Sequence, residues 1–320
     1  MGWRAIRGSR VLCGAASLLV VVGAGGCAAG RDGESGSAPT ETARVAPVDH
    51  LRLPWPAEGQ ASIAVEGLGS LGSKGGRRPV PIASLTKVMT AFVVLGEHPL
   101  AVGEPGLTVT VDEQAAQESH SLSESTAPLQ AGQRLTQRQL LELMLLPSGN
   151  NVARLLARWD AGSEEAFVDK MNRAASGLGM AHTRYTGASG IEPTTTSTAD
   201  DQLKLARQAM QVPVLRAVVA MRSTTVPGVP DPIINTNRLL DRSGVIGLKT
   251  GSSTPAGGAL MWAAWARSGE KPYLVLGVVL AQRAGTTPVE GLEAAFERSG
   301  ALIEAVQKRL PAALDTKGRV

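Results

Sequence analysis

The distribution of apolar and polar positions divides the chain into a short N-terminal preamble and a long periodic body. QASIAVEG alternates enough for a β-strand, and the glycine-rich GLGSLGSKGG after it reads as a hairpin turn. From Ser84, SLTKVMTAFVVLGEH is apolar on nearly every side, which predicts a helix buried at the centre of a domain. TQRQLLELMLLP predicts a second helix, with Thr136 and Gln139 in capping-box positions and Pro147 ending it. NVARLLARW and SEEAFVDKMNRAASGLG have amphipathic spacing, and STADDQLKLARQAM opens on an N-cap signal. The C-terminal third changes period: VIGLKTGS, ALMWAAWAR and PYLVLGVVLAQ read as strands, SGEK as the turn between the last two, and a helix at about 290–310 closes the chain. Strands at both ends with helices between them predict an α+β fold whose antiparallel sheet unites the N- and C-terminal parts. No internal repeat and no second linker interrupts residues 61–310, so one domain is expected there.

The preamble changes the picture of where the domain works. Arg4, Arg7 and Arg10 precede VLCGAASLLVVVGAGG, too short for a comfortable transmembrane helix of about 20 residues. Charge, apolar core and small residues in this order are the layout of a secretory signal over residues 1–26. Cys27, after Ala24, Gly25 and Gly26, resembles the lipidated cysteine of a bacterial lipobox, although a larger aliphatic residue is usual at the position of Ala24. Residues 27–58 are polar and rich in Gly, Ser and Pro, as in a flexible tether, which leaves 59–320 as the functional domain. The expected location is therefore extracytoplasmic: anchored to the outer face of the cell membrane through Cys27, or else secreted.

Composition narrows the chemistry. The net charge of +4 falls close to neutral once the three arginines are removed, and only five Trp, two Tyr and three Phe are present, so nucleic acid is not an expected partner. Both cysteines, Cys13 and Cys27, lie in the preamble, and His50, His98, His120 and His182 show no zinc spacing. No cofactor or metal is called for. The GxGxxG at Gly67, Gly69 and Gly72 is followed by RRPVPI rather than by a helix, which argues against a dinucleotide site. No GxSxG occurs; GASGI, from Gly187 to Ile191, has Ile where the last Gly should stand. Trp262 and Trp265, three apart in a predicted strand, fall on opposite faces and are read as packing.

Ser, Lys and Asn remain. On a helix, Ser84 and Lys87 share a face one turn apart, a spacing that suits a nucleophile and its base. Lysine in water has a pKa of about 10.4 and accepts no proton at neutral pH, but burial and a second cation, for which Lys249 is the candidate, lower it. Ser148-Gly149-Asn150 lies between two helices, where a loop can present a hydroxyl beside an amide. Lys249-Thr250-Gly251 sits in a predicted strand, where a glycine signals close approach of a ligand or another backbone.

SxxK, SxN and KTG in that order are the signature set of penicillin-recognising serine enzymes. IASLTKVMTA, MLLPSGNNVA, AFVDKMNRAASGLGM, STADDQLKLAR and GLKTGSSTPAGGALM resemble the D-alanyl-D-alanine carboxypeptidases of serine peptidase family S11, over about residues 61–310. The resemblance implies a β-lactamase/transpeptidase-like fold with a helical subdomain inserted. It implies that Ser84 forms an acyl-enzyme on a peptidoglycan stem peptide and releases the terminal D-alanine, with Lys87 taking the proton. Ser148 would pass a proton to the leaving amine, Asn150 would bind the substrate amide and orient Lys87, and Lys249 and Thr250 would hold the terminal carboxylate. The backbone N–H groups of Ser84 and Ser252 would form the oxyanion hole, Gly251 would leave room for the peptide, and β-lactams would be covalent inhibitors.

This sequence departs from the family at Ser253, where Thr is more usual, and in YTGASGIEPTTTSTADD, which lacks the Asn-Pro-His-Gly run of many members. The C-terminal β-rich domain and amphipathic anchor of many members are also not evident after the closing helix. One alternative is a β-lactamase-like hydrolase, but no Glu-x-x-Leu-Asn deacylating motif follows SxN. Another is a non-catalytic cell-wall scaffold lipoprotein, for which a retained nucleophile would be superfluous.

Overall fold

The computed structural model describes residues 51–230 and 232–315. Five strands form one antiparallel sheet: β1 (Gln60–Val65), β2 (Gly69–Lys74), β3 (Val245–Ser253), β4 (Gly257–Ser268) and β5 (Lys271–Gln282). Their spatial order is β2-β1-β5-β4-β3, so the N-terminal hairpin pairs with the last strand of the chain. This is the expected union of the two ends. Every residue of β1 is buried, because the strand lies inside the sheet and both faces are covered.

The period of two sends alternate side chains of the sheet into two cores. Leu260, Trp262, Ala264 and Ala266 of β4, with Ile63, Val65, Val275 and Val279, meet Ala295, Phe296, Ile303 and Val306 of helix α8 (Pro288–Asp315). Ala259, Met261 and Ala263, with Leu276, Val278 and Leu280, face the larger core built by the helices between the two ends of the sheet. Those helices are α1 (Thr86–Glu97), α2 (Glu113–Glu118), α3 (Gln137–Leu145), α4 (Asn150–Ala161), α5 (Glu164–Gly177), α6 (Ala199–Gln211) and α7 (Pro213–Val219). Each fully buried Leu, Ile or Val is worth about 1.5–3 kcal/mol, so the two cores are what hold the sheet and the helical part as one body.

The local signals are used as the sequence spells them. Thr136 accepts from the Gln139 N–H while Gln139 reaches back to the Thr136 N–H, a complete capping box on α3. Ser163 and Thr198 cap α5 and α6 through their hydroxyls. Trp262 is fully buried and Trp265, on the opposite face, is 36% exposed, in keeping with packing for the first.

Three expectations need correction. The glycine-rich GLGSLGSKGG is not a turn: Gly69–Lys74 is the edge strand, and the turn is confined to the residues just before it. Alternation is faint in β2 because an edge strand with one solvent face needs few apolar residues. The flexible tether does not run to residue 58, since Leu51 and Leu53 are buried with Leu302, Val306 and Leu310 of α8, and the Arg309 guanidinium donates to the Leu51 carbonyl at 2.9 Å. Helices α2 and α7, six and seven residues long, were not expected; they are too short to show a period. The export signal and Cys27 lie outside the described residues. No described helix is long and apolar enough to cross a membrane.

One buried amide fastens the segment in front of α3 to α4. Asn151 is fully buried; its Oδ1 accepts from the Ala127 N–H at 3.0 Å, and its Nδ2 donates to the carbonyls of Ala127 at 2.9 Å and Ala115 at 3.1 Å. Asn151→Ala would strand both backbone groups of Ala127, each costing about 1–3 kcal/mol when buried unpaired, while the Ala115 carbonyl keeps the Ser119 N–H. A loss of about 3 kcal/mol in urea unfolding is expected, and a change below about 1 kcal/mol would show that the segment is held by other contacts.

Candidate active site

Four segments distant in sequence meet at the N-terminal end of α1. Ser84 lies in a single 3-10 turn, Ala83–Leu85, that leads into the helix. Ala83 occupies the left-handed region at φ 46°, and its carbonyl accepts from the Thr86 hydroxyl at 2.8 Å, which secures the turn. Gly190 packs on this turn: a Cβ there would lie 2.1 Å from the Ala83 oxygen and 2.5 Å from Thr86 Oγ1, so no side chain fits. Ser84 itself is half-buried.

Lys87 is wholly buried one turn further on, and Nζ meets three oxygens. These are Ser84 Oγ at 2.9 Å, Asn150 Oδ1 at 2.5 Å and the carbonyl of Ser189 at 2.8 Å. Burial pushes the Lys87 pKa well below 10.5, and the positive charges of Lys249 and Arg154 push it down further against the opposing pull of Glu124 and Glu192.

Asn150 is the first residue of α4, and Ser148 precedes it at φ 69°. The Asn150 N–H donates to the Ser125 carbonyl at 2.8 Å, and its Nδ2 donates to Glu124 Oε2 at 2.6 Å. Ser148 is 6% exposed, yet its Oγ has no hydrogen-bond partner among the described residues. Buried polar atoms are normally satisfied, so an unpaired hydroxyl beside a nucleophile is one left for a substrate or a water.

Lys249, Thr250 and Gly251 lie on β3, the edge strand of the sheet, against the turn that carries Ser84. Burial alone lowers the Lys249 pKa to about 7. Thr250 Oγ1 is 2.7 Å from Thr236 Oγ1, and Thr236 donates its N–H to the Leu146 carbonyl at 3.0 Å, which ties the KTG strand to the end of α3. Ser252 follows, half-buried and opposite Gly258 of β4. Gly251 meets another backbone, one of the two close approaches its place in the strand signals: a Cβ there would lie 3.0 Å from the Ser84 nitrogen and 3.2 Å from the Ile82 oxygen. The absent side chain admits the nucleophile's own backbone to the strand.

The structure thus brings all eight expected residues to one locality, with Ser84, Lys87 and Asn150 in direct contact, Thr250 and Gly251 joined to the neighbouring backbone, and Ser148 unpaired. Four groups were not foreseen. Thr236, Glu124 and Arg154 stand in no motif, and Ser189 acts through its carbonyl, which no side-chain pattern reveals. GASGI was noticed only as a defective GxSxG, whereas in the fold it supplies the third oxygen around Lys87.

The family model for D-alanyl-D-alanine carboxypeptidases, of serine peptidase family S11, matches residues 70–282. The chain belongs to this family. It is 36% identical over 214 residues to a D-alanyl-D-alanine carboxypeptidase of Streptomyces sp. strain K15, covering 62% of this chain and 71% of the relative. A D-alanyl-D-alanine carboxypeptidase of Mycobacterium tuberculosis is 34% identical over 213 residues, covering 65% and 69%. In three dimensions the crystal structure of the Streptomyces K15 DD-transpeptidase matches with a TM-score of 0.68 at 29% identity, over 79% of this chain and 98% of the other. The α+β fold of this S11 family member is therefore that of the penicillin-binding DD-peptidases.

Buried lysines leave a mark on stability. Lys249 titrates near about 7 in the folded protein and near 10.5 when unfolded, so between these values the unfolded chain binds the extra proton. Stability contributed by this group therefore rises with pH across that window. In urea unfolding from pH 7 to pH 10, the wild type is expected to gain about 3–4 kcal/mol relative to Lys249→Met. A constant difference between the two proteins would show that Lys249 keeps an ordinary pKa when folded.

Proposed function

We propose that this chain is a serine D-alanyl-D-alanine carboxypeptidase that trims peptidoglycan stem peptides through an acyl-enzyme on Ser84. The observation that carries this reading is the set of oxygens around Lys87 Nζ. Asn150 Oδ1 and the Ser189 carbonyl can only accept, whereas the Ser84 hydroxyl can donate. A neutral Lys87 spends two N–H groups on the two acceptors, and its lone pair is left facing the Ser84 O–H. Depression of its pKa by burial favours this neutral form.

Attack then proceeds with the proton accounted for. Ser84 Oγ bonds to the carbonyl carbon of the penultimate D-alanine as its proton passes to Lys87 Nζ. The oxyanion that forms is assigned to the backbone N–H groups of Ser84 and Ser252, where each well-placed donor is worth about 3 kcal/mol. The C–N bond breaks as the unpaired Ser148 hydroxyl relays a proton from Lys87 to the leaving amine, and D-alanine departs. Water attacks the ester with Lys87 again as base. The substrate's terminal carboxylate is assigned to Lys249 and Thr250, and its backbone to the free edge of β3, which offers unpaired peptide groups to an added strand. A β-lactam entering the same path acylates Ser84 and persists, since no Glu-x-x-Leu-Asn motif is present to drive deacylation.

An export signal over residues 1–26 and the lipobox-like Cys27 support action outside the cell membrane on a tether. A relative named DD-transpeptidase supports a second fate for the acyl-enzyme, capture by an amine in place of water.

The decisive assay is release of D-alanine from a peptide ending in D-Ala-D-Ala, with and without added glycine as amine acceptor. Ser84→Ala should lose at least about a thousandfold in rate. Lys87→Arg, which keeps the cation but accepts no proton, should fall equally far, and the wild-type rate should decline as pH drops through the lowered Lys87 pKa. Release that survives Ser84→Ala, or rapid Ser84-dependent destruction of a chromogenic cephalosporin, would overturn this reading. A product carrying glycine would assign the amine route.

A further inference from the structure

Behind Asn150 lies a pair of charges that the family motifs do not include. Glu124 Oε2 accepts from Asn150 Nδ2 at 2.6 Å, and the same carboxylate is gripped by Arg154, with NH2 to Oε1 at 2.7 Å and NH1 to Oε2 at 3.1 Å. The remaining side of the guanidinium is held by Glu118, the last residue of α2, at 2.9 Å from Nε. Side-chain exposure is 13% for Glu124 and 11% for Arg154, so this is a mostly buried fork rather than a surface pair. Burial pushes the Glu124 carboxyl up, but the hydrogen bonds from Arg154 and Asn150 outweigh it and hold it below the ordinary carboxylate value.

The chemistry of these partners leaves the Asn150 amide one orientation. A carboxylate accepts and never donates, so the end of the amide that faces Glu124 must be the NH2. The oxygen is thereby turned to Lys87, which can only donate to it. With a neutral partner in place of Glu124, the amide could turn over and present an N–H to Lys87 Nζ. That N–H would occupy the lone pair needed for Ser84.

We propose that Glu124, clamped by Arg154, is a positioning residue for acylation, fixing Asn150 with its oxygen toward Lys87 and matching the charge beside that lysine. This rests on the assignment of Lys87 as the base for Ser84. Four charged groups face Lys87 from the elements packed on it: Lys249 from β3, Arg154 from α4, Glu124 from the segment after α2, and Glu192 from the loop after Ser189. Removing one member of the Glu124–Arg154 pair therefore unbalances the field with a definite sign. Glu124→Gln removes a negative charge, leaves Arg154 with Glu118 alone and makes Lys87 more acidic. Arg154→Met leaves Glu124 uncompensated and makes it more basic.

The test uses two readouts on the folded full-length domain and its variants. The first is the pH dependence of Ser84 acylation by a fluorescent penicillin, together with kcat and KM for D-alanine release. Glu124→Gln is expected to lower kcat about tenfold with KM within twofold, and to move the acid limb down by about half a pH unit. Arg154→Met is expected to move the limb up by a similar amount, and the double variant to return it close to the wild-type position. Glu124→Asp keeps the charge, so its acid limb should stay with the wild type, which supplies the control should Arg154→Met fail to fold. A purely structural pair would lower activity in all four variants with no opposed shifts, and that result would overturn the proposal.

The second readout, 13C NMR titration of the lysine Cε resonances, needs no turnover. Opposite displacements of the Lys87 midpoint in Glu124→Gln and Arg154→Met support the proposal. Coincident midpoints sink it whatever the enzyme's activity. Wild-type protein that titrates as expected but takes up no penicillin at Ser84 would count against the functional reading instead.

Discussion

Everything at this site depends on burying one lysine without its full charge. Lys87 has no exposed surface, and a charge so placed is costly unless it is paired or neutralised. The protein uses both remedies sparingly. It surrounds Nζ with three oxygens, none of them an anion, and places Lys249 close enough to make the charged form still less favourable. Glu124 approaches only through the Asn150 amide and with its charge already engaged by Arg154. A carboxylate in direct contact would stabilise the ammonium and abolish its use as a base.

The fold serves that burial. The sheet separates a core under α8 from a core under the helices, and α1 is sunk into the second with Val88, Met89, Ala91 and Val94 all at 0% exposure. A helix enclosed on nearly every side gives Lys87 no route to solvent, while the single 3-10 turn before it leaves Ser84 only half-buried. The edge position of β3 completes the arrangement, since a strand with one free edge can lie against the nucleophile's turn and still offer backbone to a peptide. At Gly190 this convergence brings the backbones too close for any side chain, and at Gly251 a Cβ would press tightly on the Ser84 and Ile82 backbone.

Membership of the D-alanyl-D-alanine carboxypeptidase family and the match to a DD-transpeptidase fold agree with this geometry. Acylation is the step the two activities share, and it is the step to which the proposed roles of the residues around Lys87 belong. The fate of the acyl-enzyme depends on whether water or an amine reaches the ester. The segment from Thr186 to Thr196, where this chain lacks the Asn-Pro-His-Gly run, both closes on Lys87 through Ser189 and borders a cavity of about 560 Å³ lined by Glu164, Arg184, Tyr185 and Glu192. This segment is thus joined to Lys87 through its backbone.

Much of this was legible in the chain itself. Helix caps at Thr136, Ser163 and Thr198 are local bonds spanning three residues, so sequence spacing is enough to place them. Ser84 and Lys87 are likewise joined by helix geometry alone, and the strands of the C-terminal third carry their period of two in plain view. The order of SxxK, SxN and KTG identified the family because three weak signals at separate places are jointly rare. The rest required the folded chain. That Asn150 meets Lys87, that Ser189 lends a carbonyl, that Glu124 bonds an amide, and that Gly251 packs on the Ser84 backbone are contacts between residues 26 to 167 positions apart. No local rule encodes such contacts, because they are fixed by how α1, α4 and β3 pack. Backbone carbonyls and missing Cβ atoms leave no signature in composition, so what the lysine touches was decided by tertiary structure alone.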